Sequence, residues 1–100
     1  MVDRTLITAV EQWAEEKGIL ANATPMAQAH KTLEEALELA EAIRKDDRAE
    51  IYDALGDIFV TIIIGARMQN MDLEGCLKSA YDIISKRTGR MEGGQFVKDA

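Results

Sequence analysis

The stretch 48–69, RAEIYDALGDIFVTIIIGARMQ, limits the fold most. Its run Ile58–Ile64 is rich in β-branched residues and suits a strand by propensity alone. Yet Ile51, Leu55, Ile58, Ile62 and Ala66 continue one helical stripe through it. The stretch therefore reads as a single helix, apolar nearly all round in its second half. Such a helix is buried on several sides. A chain of 100 residues gives one domain, here 1–100. A bundle this small cannot cover so wide an apolar surface, so part of it is expected to meet another subunit.

The rest of the chain supplies the other helices. Over 3–17, Leu6, Ala9, Val10, Trp13 and Ala14 recur at helical spacing, and Gly18 stops the helix as a left-handed cap. Residues 19–23 connect. Thr24-Pro25 starts the next helix, with Thr24 as N-cap and Pro25 at the first helical position. Its apolar face is Met26, Ala29, Leu33, Ala36, Leu37, Ala40 and Ile43, while Gln28, Lys31, Glu35 and Glu38 form a separate stripe. Lys45-Asp46-Asp47 breaks the pattern and caps the long helix. Asp72 caps a last helix reaching about Thr88, with Leu73, Leu77, Ala80, Tyr81 and Ile84 inward and Gly89 at its end. Residues 91–100 read as a tail. The expected fold is all-α and four-helix bundle-like, completed by oligomerisation.

Two groups of carboxylates lie on two of these helices. The first is Glu34, Glu35 and Glu38, with Glu41 one turn on; the second is Glu50, Asp53 and Asp57. Side chains three and four apart share a helix face. Glu38 and Asp57 have no Lys or Arg at any helical neighbour position. Like charges at these spacings destabilise a helix by roughly 0.2–0.5 kcal/mol per pair, and Asp57 adjoins an apolar run where an unpaired charge is costly. A divalent cation between the helices offsets both penalties. Mg²⁺ takes oxygen ligands and keeps water and substrate phosphate in its shell. Lys31 can pair with Glu34 or Glu35, so part of the first group also fits a solvated, salt-bridged face.

Composition narrows the partners. Net charge is −6, which argues against an open basic surface for a nucleic acid polymer. Residues 31–60 carry nine of the 18 acidic groups, and Lys86, Arg87 and Arg90 cluster after them. An acidic cradle facing a basic patch suits a metal–phosphate ligand. The lone Cys76 excludes an intrachain disulfide and reads as a small buried residue. His30 lacks a partner at metal spacing. No HExxH, Glu-x-x-His, Cys-x-x-Cys or glycine-rich phosphate loop occurs. Asp3 and Glu11 interrupt any signal-like segment, and Ile58–Ala66 is too short to span a bilayer, so a cytoplasmic protein away from membranes is expected.

Glu34-Glu35-Ala36-Leu37-Glu38 resembles the EExxE motif of MazG-like nucleoside triphosphate pyrophosphohydrolases, and Asp53-Ala54-Leu55-Gly56-Asp57 resembles the motif on their next helix. The likeness extends to Trp13, Lys17-Gly18-Ile19, Thr24-Pro25, Arg87-x-Gly89-Arg90 and Gly94-x-Phe96-Val97-Lys98, and the latter half especially resembles the small single-domain members of bacteria and their phages. The resemblance implies an all-α fold assembled as a homodimer or homotetramer. It implies cleavage of a nucleoside triphosphate between the α and β phosphates, with Mg²⁺ or sometimes Mn²⁺. It makes Glu35, Glu38 and Asp57 metal ligands. The family's fourth acid falls at Ala54; Asp53 is the replacement, and Glu50 is the other claimant because Glu50-Ile51-Tyr52-Asp53 also fits ExxD.

On this reading Glu34 or Glu35 orients the attacking water. Lys31, Lys86, Arg87 and Arg90 are candidates for phosphate contacts, against the alternative of solubilising charges at helix ends. Gln28 joins the substrate-binding candidates, as does Trp13, which is otherwise a core anchor. Two other functions use the same residues: a nucleotide-binding regulator with little turnover, and a helical interaction module with an acidic docking face. Metal dependence separates the enzyme from the module, and turnover separates it from the regulator.

Overall fold

The long apolar stretch is helical throughout. The computed structural model describes residues 4–100, and Arg48–Met68 forms its longest helix, α4. Before it come α1 (Arg4–Glu16), the short α2 (Ile19–Asn22) and α3 (Pro25–Arg44). After it come α5 (Leu73–Ile84) and an antiparallel hairpin of β1 (Gly89–Glu92) and β2 (Gln95–Lys98). Asp3, assigned by the sequence to the first helix, lies outside the described residues.

Local chemistry sets the boundaries. Gly18 turns the chain with φ 76°. Thr24 accepts from the Ala27 N–H at 3.1 Å, Asp47 from Glu50 at 3.1 Å and Asp72 from Gly75 at 3.2 Å. α5 stops at Ile84, four residues before its expected end. The expected tail is instead mostly a hairpin. Gly93 and Gly94 make its two-residue turn with φ 56° and 80°, a backbone that suits the right-handed strand twist. The Thr88 hydroxyl donates to Asp99 (2.7 Å) and closes its base.

α3 and α4 form an antiparallel helical hairpin, with α1 and α2 leaning on α4. The seam between α3 and α4 is polar. Gln28 Nε2 donates to the Thr61 carbonyl (3.3 Å), the Thr32 hydroxyl donates to Thr61 Oγ1 (2.8 Å), and Thr61 Oγ1 donates to the Ile58 carbonyl (2.7 Å). The buried residues of α3 are Gln28, Glu35 and Ala42. This reverses the expected orientation of α3, because Met26, Leu33, Leu37 and Ile43 are exposed. α1 differs too: it buries Ile7 and Ala14, leaving Leu6 and Trp13 exposed. Cys76 is exposed rather than buried.

The protomer is correspondingly open. It exposes 7865 Å², whereas a compact protein of 11.1 kDa exposes about 5,700 Å². Its radius of gyration is 15.7 Å, against about 13 Å for a compact domain of this length. Every residue from Glu74 to Ala100 is exposed. No helix among the described residues is long and apolar enough to cross a membrane.

The seam makes a testable statement about stability. Thr61→Val keeps the shape of the side chain and removes both hydroxyl bonds. Thr32 retains the Gln28 carbonyl, 3.3 Å away, as an acceptor. Urea denaturation should therefore show a loss of about 1 kcal/mol; an unchanged midpoint would mean the seam is not held by these bonds.

Candidate functional site

The two carboxylate groups meet across the α3–α4 hairpin. A cleft of about 280 Å³ is lined by Glu38 and Glu41 from α3 and by Glu50, Asp53, Ala54 and Asp57 from α4. A second cleft of about 450 Å³ is lined by Trp13, Gln28, Lys31, Glu35, Asp57 and Thr61, together with apolar Ile19, Val60 and Ile64 and the small Ala23 and Ala27. Asp57 lines both, so an acidic chamber adjoins a largely apolar one. Helical spacing delivers the acids, and the polar seam aims them: the pairing of Gln28 and Thr32 with Thr61 turns the Glu35–Glu38 edge of α3 toward α4.

The charges within the cleft are unequally compensated. Glu41 is held by Arg44 and Lys45, and chiefly the Arg44 hydrogen bond lowers its pKa. Lys31 sits 3.3 Å from Glu34 and 3.8 Å from Glu35. Its pKa is raised, first by the hydrogen bond to Glu34 and then by the charges of Glu34 and Glu35. Glu38, Glu50, Asp53 and Asp57 pair with no basic group among the described residues. Glu35 is buried, and its carboxyl pKa is raised. The largest cause is the hydrogen bond with Glu38; burial and then the charges of Glu38 and Asp57 follow, with Lys31 opposing.

These residues place hard carboxylate oxygens around one space, the donor chemistry that Mg²⁺ and Mn²⁺ take. Among the described residues, no three His, Cys, Asp or Glu side chains converge tightly enough to coordinate one ion as they stand. They share a cleft rather than a point.

The cleft includes Glu38, Asp53 and Asp57 of the expected ligands, and Glu35 adjoins it through Glu38 and Asp57. Glu50 and Asp53 both line it, so both claimants for the fourth position are present. Trp13 is 47 % exposed; it is a cleft wall in the protomer, not a core anchor. The structure does not bring Lys86, Arg87 or Arg90 to the cleft acids of their own chain. None of them lines either cleft, and Arg90 is paired with Glu92 at 3.0 Å. Sequence reading missed Thr32 and Thr61. The available signal was the spacing of Gln28 and Thr32, one helical turn apart, opposite the lone hydroxyl in an apolar run.

The profile of the MazG nucleotide pyrophosphohydrolase domain matches residues 23–92. The chain belongs to the MazG family. A relative in Haemophilus phage HP1 (strain HP1c1), an uncharacterized 18.2 kDa protein of the rep-hol intergenic region, is 37% identical over 67 residues. That alignment covers 67% of this chain and 41% of the phage protein, so the chain spans about two fifths of that relative's length. No solved structure matches. The MazG match contains both carboxylate groups and ends within the hairpin. Ala54, where the resembled motif carries Glu, lies on the wall of the acidic cleft.

The raised Glu35 carboxyl fixes a pH dependence. The folded chain binds its proton more tightly than the unfolded chain does. Stability is therefore highest below the ordinary value of 4.5 and is lost as pH rises through the raised value. In EDTA, melting temperatures should fall across this window for the wild type. Glu35→Gln should flatten the profile and melt higher at neutral pH. A Glu35→Gln profile as steep as the wild type would contradict the placement of Glu35.

Proposed function

We propose that this MazG protein hydrolyses nucleoside triphosphates between the α and β phosphates, giving a monophosphate and pyrophosphate, with Mg²⁺ or Mn²⁺ as cofactor. One observation carries the reading: Glu38, Asp53 and Asp57 line one cleft with no basic partner, and buried Glu35 abuts them. Glu35, Glu38, Asp53 and Asp57 would hold the metal. Glu38, Asp53 and Asp57 are exposed, which leaves their side chains room to rotate onto it. A divalent ion bound there supplies charge neutralisation for the phosphates and a water of lowered pKa.

The protein's own groups divide the remaining work. Of the two candidates to orient the attacking water, Glu35 fits better than Glu34. Glu34 is exposed and tied to Lys31, while Glu35 is buried with a carboxyl that holds its proton more tightly. Lys31, at the edge of the larger cleft, is placed to meet a phosphate oxygen. That cleft has the volume of an ordinary small-molecule site. Trp13 offers a ring face to a base, and Gln28, anchored on the Thr61 carbonyl, offers an amide. The apolar chamber thus takes the nucleoside, and Asp57 marks the passage to the triphosphate.

A panel of nucleoside triphosphates assayed for pyrophosphate release with Mg²⁺ tests the reaction. Glu38→Gln and Asp57→Asn should each reduce turnover by at least on the order of 10²-fold while the helices persist. Asp53→Asn should be nearly as damaging as Asp57→Asn, and Glu50→Gln mild; the reverse ranking moves the fourth ligand to Glu50. Nucleotide binding without any pyrophosphate release would favour the regulator instead.

The assembly belongs to the same proposal. α4 leaves Leu55, Phe59 and Ile62 exposed, and α3 exposes its own apolar stripe. We expect a homodimer or homotetramer built on these faces. Sedimentation should find no stable folded 11.1 kDa species at micromolar concentration; finding one would rule the assembly out.

A further inference from the structure

The hairpin after α5 stands clear of the helices. Neither strand packs on a helix among the described residues, and every residue of both strands is exposed. It is nonetheless closely built. The Phe96 ring lies across Gly89, where an added Cβ would meet its Cζ at 2.6 Å. A two-stranded hairpin is marginal alone in water; more strands, or a helix packed on it, make it stable.

Its hydrogen bonding leaves the β1 edge open. The two-residue turn makes Glu92 and Gln95 the first bonded pair, and bonded and non-bonded pairs alternate from there. The Asp99 N–H donates to the Thr88 carbonyl at 3.0 Å, in phase with that alternation. The N–H and C=O groups of Gly89 and Met91 therefore point away from β2, and no third strand takes them among the described residues. An open edge of this kind is a template for another strand. Its charges are antisymmetric: Arg90 and Glu92 flank Met91.

We propose that the β1 strands of two copies pair antiparallel about a twofold axis at Met91, making one four-stranded sheet in the order β2–β1–β1–β2. Met91 then exchanges both backbone bonds with Met91 of the second copy. Each Arg90 faces the Glu92 of the other copy, in two symmetric pairs. The Arg90–Glu92 pair within each chain, at 3.0 Å, becomes one side of a square of alternating charge. Charge also selects the register. Sliding the pairing one step either way sets Arg90 against Arg90 or Glu92 against Glu92, and like charges directly opposite are destabilising. On the β2 edge a twofold at Phe96 sets Gln95 against Val97, with no charge to match. In the β1 pairing, Met91 and Phe96 of both copies fall on one face of the sheet, since each faces the other across its own hairpin. The contact rests neither on the hydrolase reading nor on the helical faces of α3 and α4.

A charge exchange tests it. Arg90→Glu makes a chain with two acids on the edge, and Glu92→Arg a chain with two bases. Each should associate with itself more weakly through this edge than wild type, by about tenfold. Mixed, the two should associate with each other at close to the wild-type strength, because every cross-strand pair is again opposite. Repulsion within either hairpin is the same alone and mixed, so it cannot produce that recovery. A mixture no stronger than its components overturns the pairing. A cross-link reads the same contact whichever other faces associate. In a Cys76→Ser background, a chain carrying Arg90→Cys is mixed with a differently tagged chain carrying Glu92→Cys. These positions form a non-bonded pair with Cα atoms about 4.5 Å apart, within disulfide reach. A disulfide joining the two tags is expected, formed faster than one between Gln95→Cys and Val97→Cys chains. Equal rates for the two mixtures would overturn the register.

Discussion

The polar seam between α3 and α4 governs the rest of the molecule. Thr61 interrupts an apolar run with one hydroxyl, and Gln28 and Thr32 reach it from the opposite helix. Those bonds select which edge of α3 faces α4. Buried hydroxyls and amides must be paired, and this orientation pairs them. The consequence is an inversion: α3 turns its Glu35–Glu38 edge toward α4 and its Met26–Ile43 stripe toward water. Both the acidic cleft and the unfinished surface follow from that choice.

Much of this was legible in the sequence, and the failures share one cause. Helix identity, the three side-chain caps and the meeting of the two carboxylate groups follow from short-range spacing. What sequence misplaced depends on which face points inward. An apolar stripe such as Leu33–Leu37 reads as core in any single-chain argument; here it is an outer face. The core-anchor reading of Trp13 and the buried reading of Cys76 failed for the same reason. The hairpin escaped because its strands are short and alternate around a Gly-Gly turn, with few apolar residues to signal pairing. The fourth acid stayed ambiguous because Glu50 and Asp53 flank the same space.

Electrostatics and openness reinforce one another. Seven carboxylates crowd the facing parts of two helices, and only Glu34, Glu35 and Glu41 have basic partners. The raised Glu35 carboxyl is the local record of that crowding. A small chain with so much exposed apolar surface has little stability to spend on unpaired charge. A cation bound in the cleft would both stabilise the fold and prepare the proposed chemistry, whereas the Arg and Lys groups after α5 lie elsewhere in the protomer.

The central claim is that the α3–α4 cleft binds a divalent cation through Asp57 and its neighbours. Thermal melts of the wild type and Asp57→Asn, each in EDTA and in saturating Mg²⁺, test it most directly, because a ligand that binds only the folded state raises stability by mass action. The account predicts that Mg²⁺ raises the melting temperature of the wild type and that the shift vanishes in Asp57→Asn. Equal wild-type melting temperatures with and without the metal would contradict it.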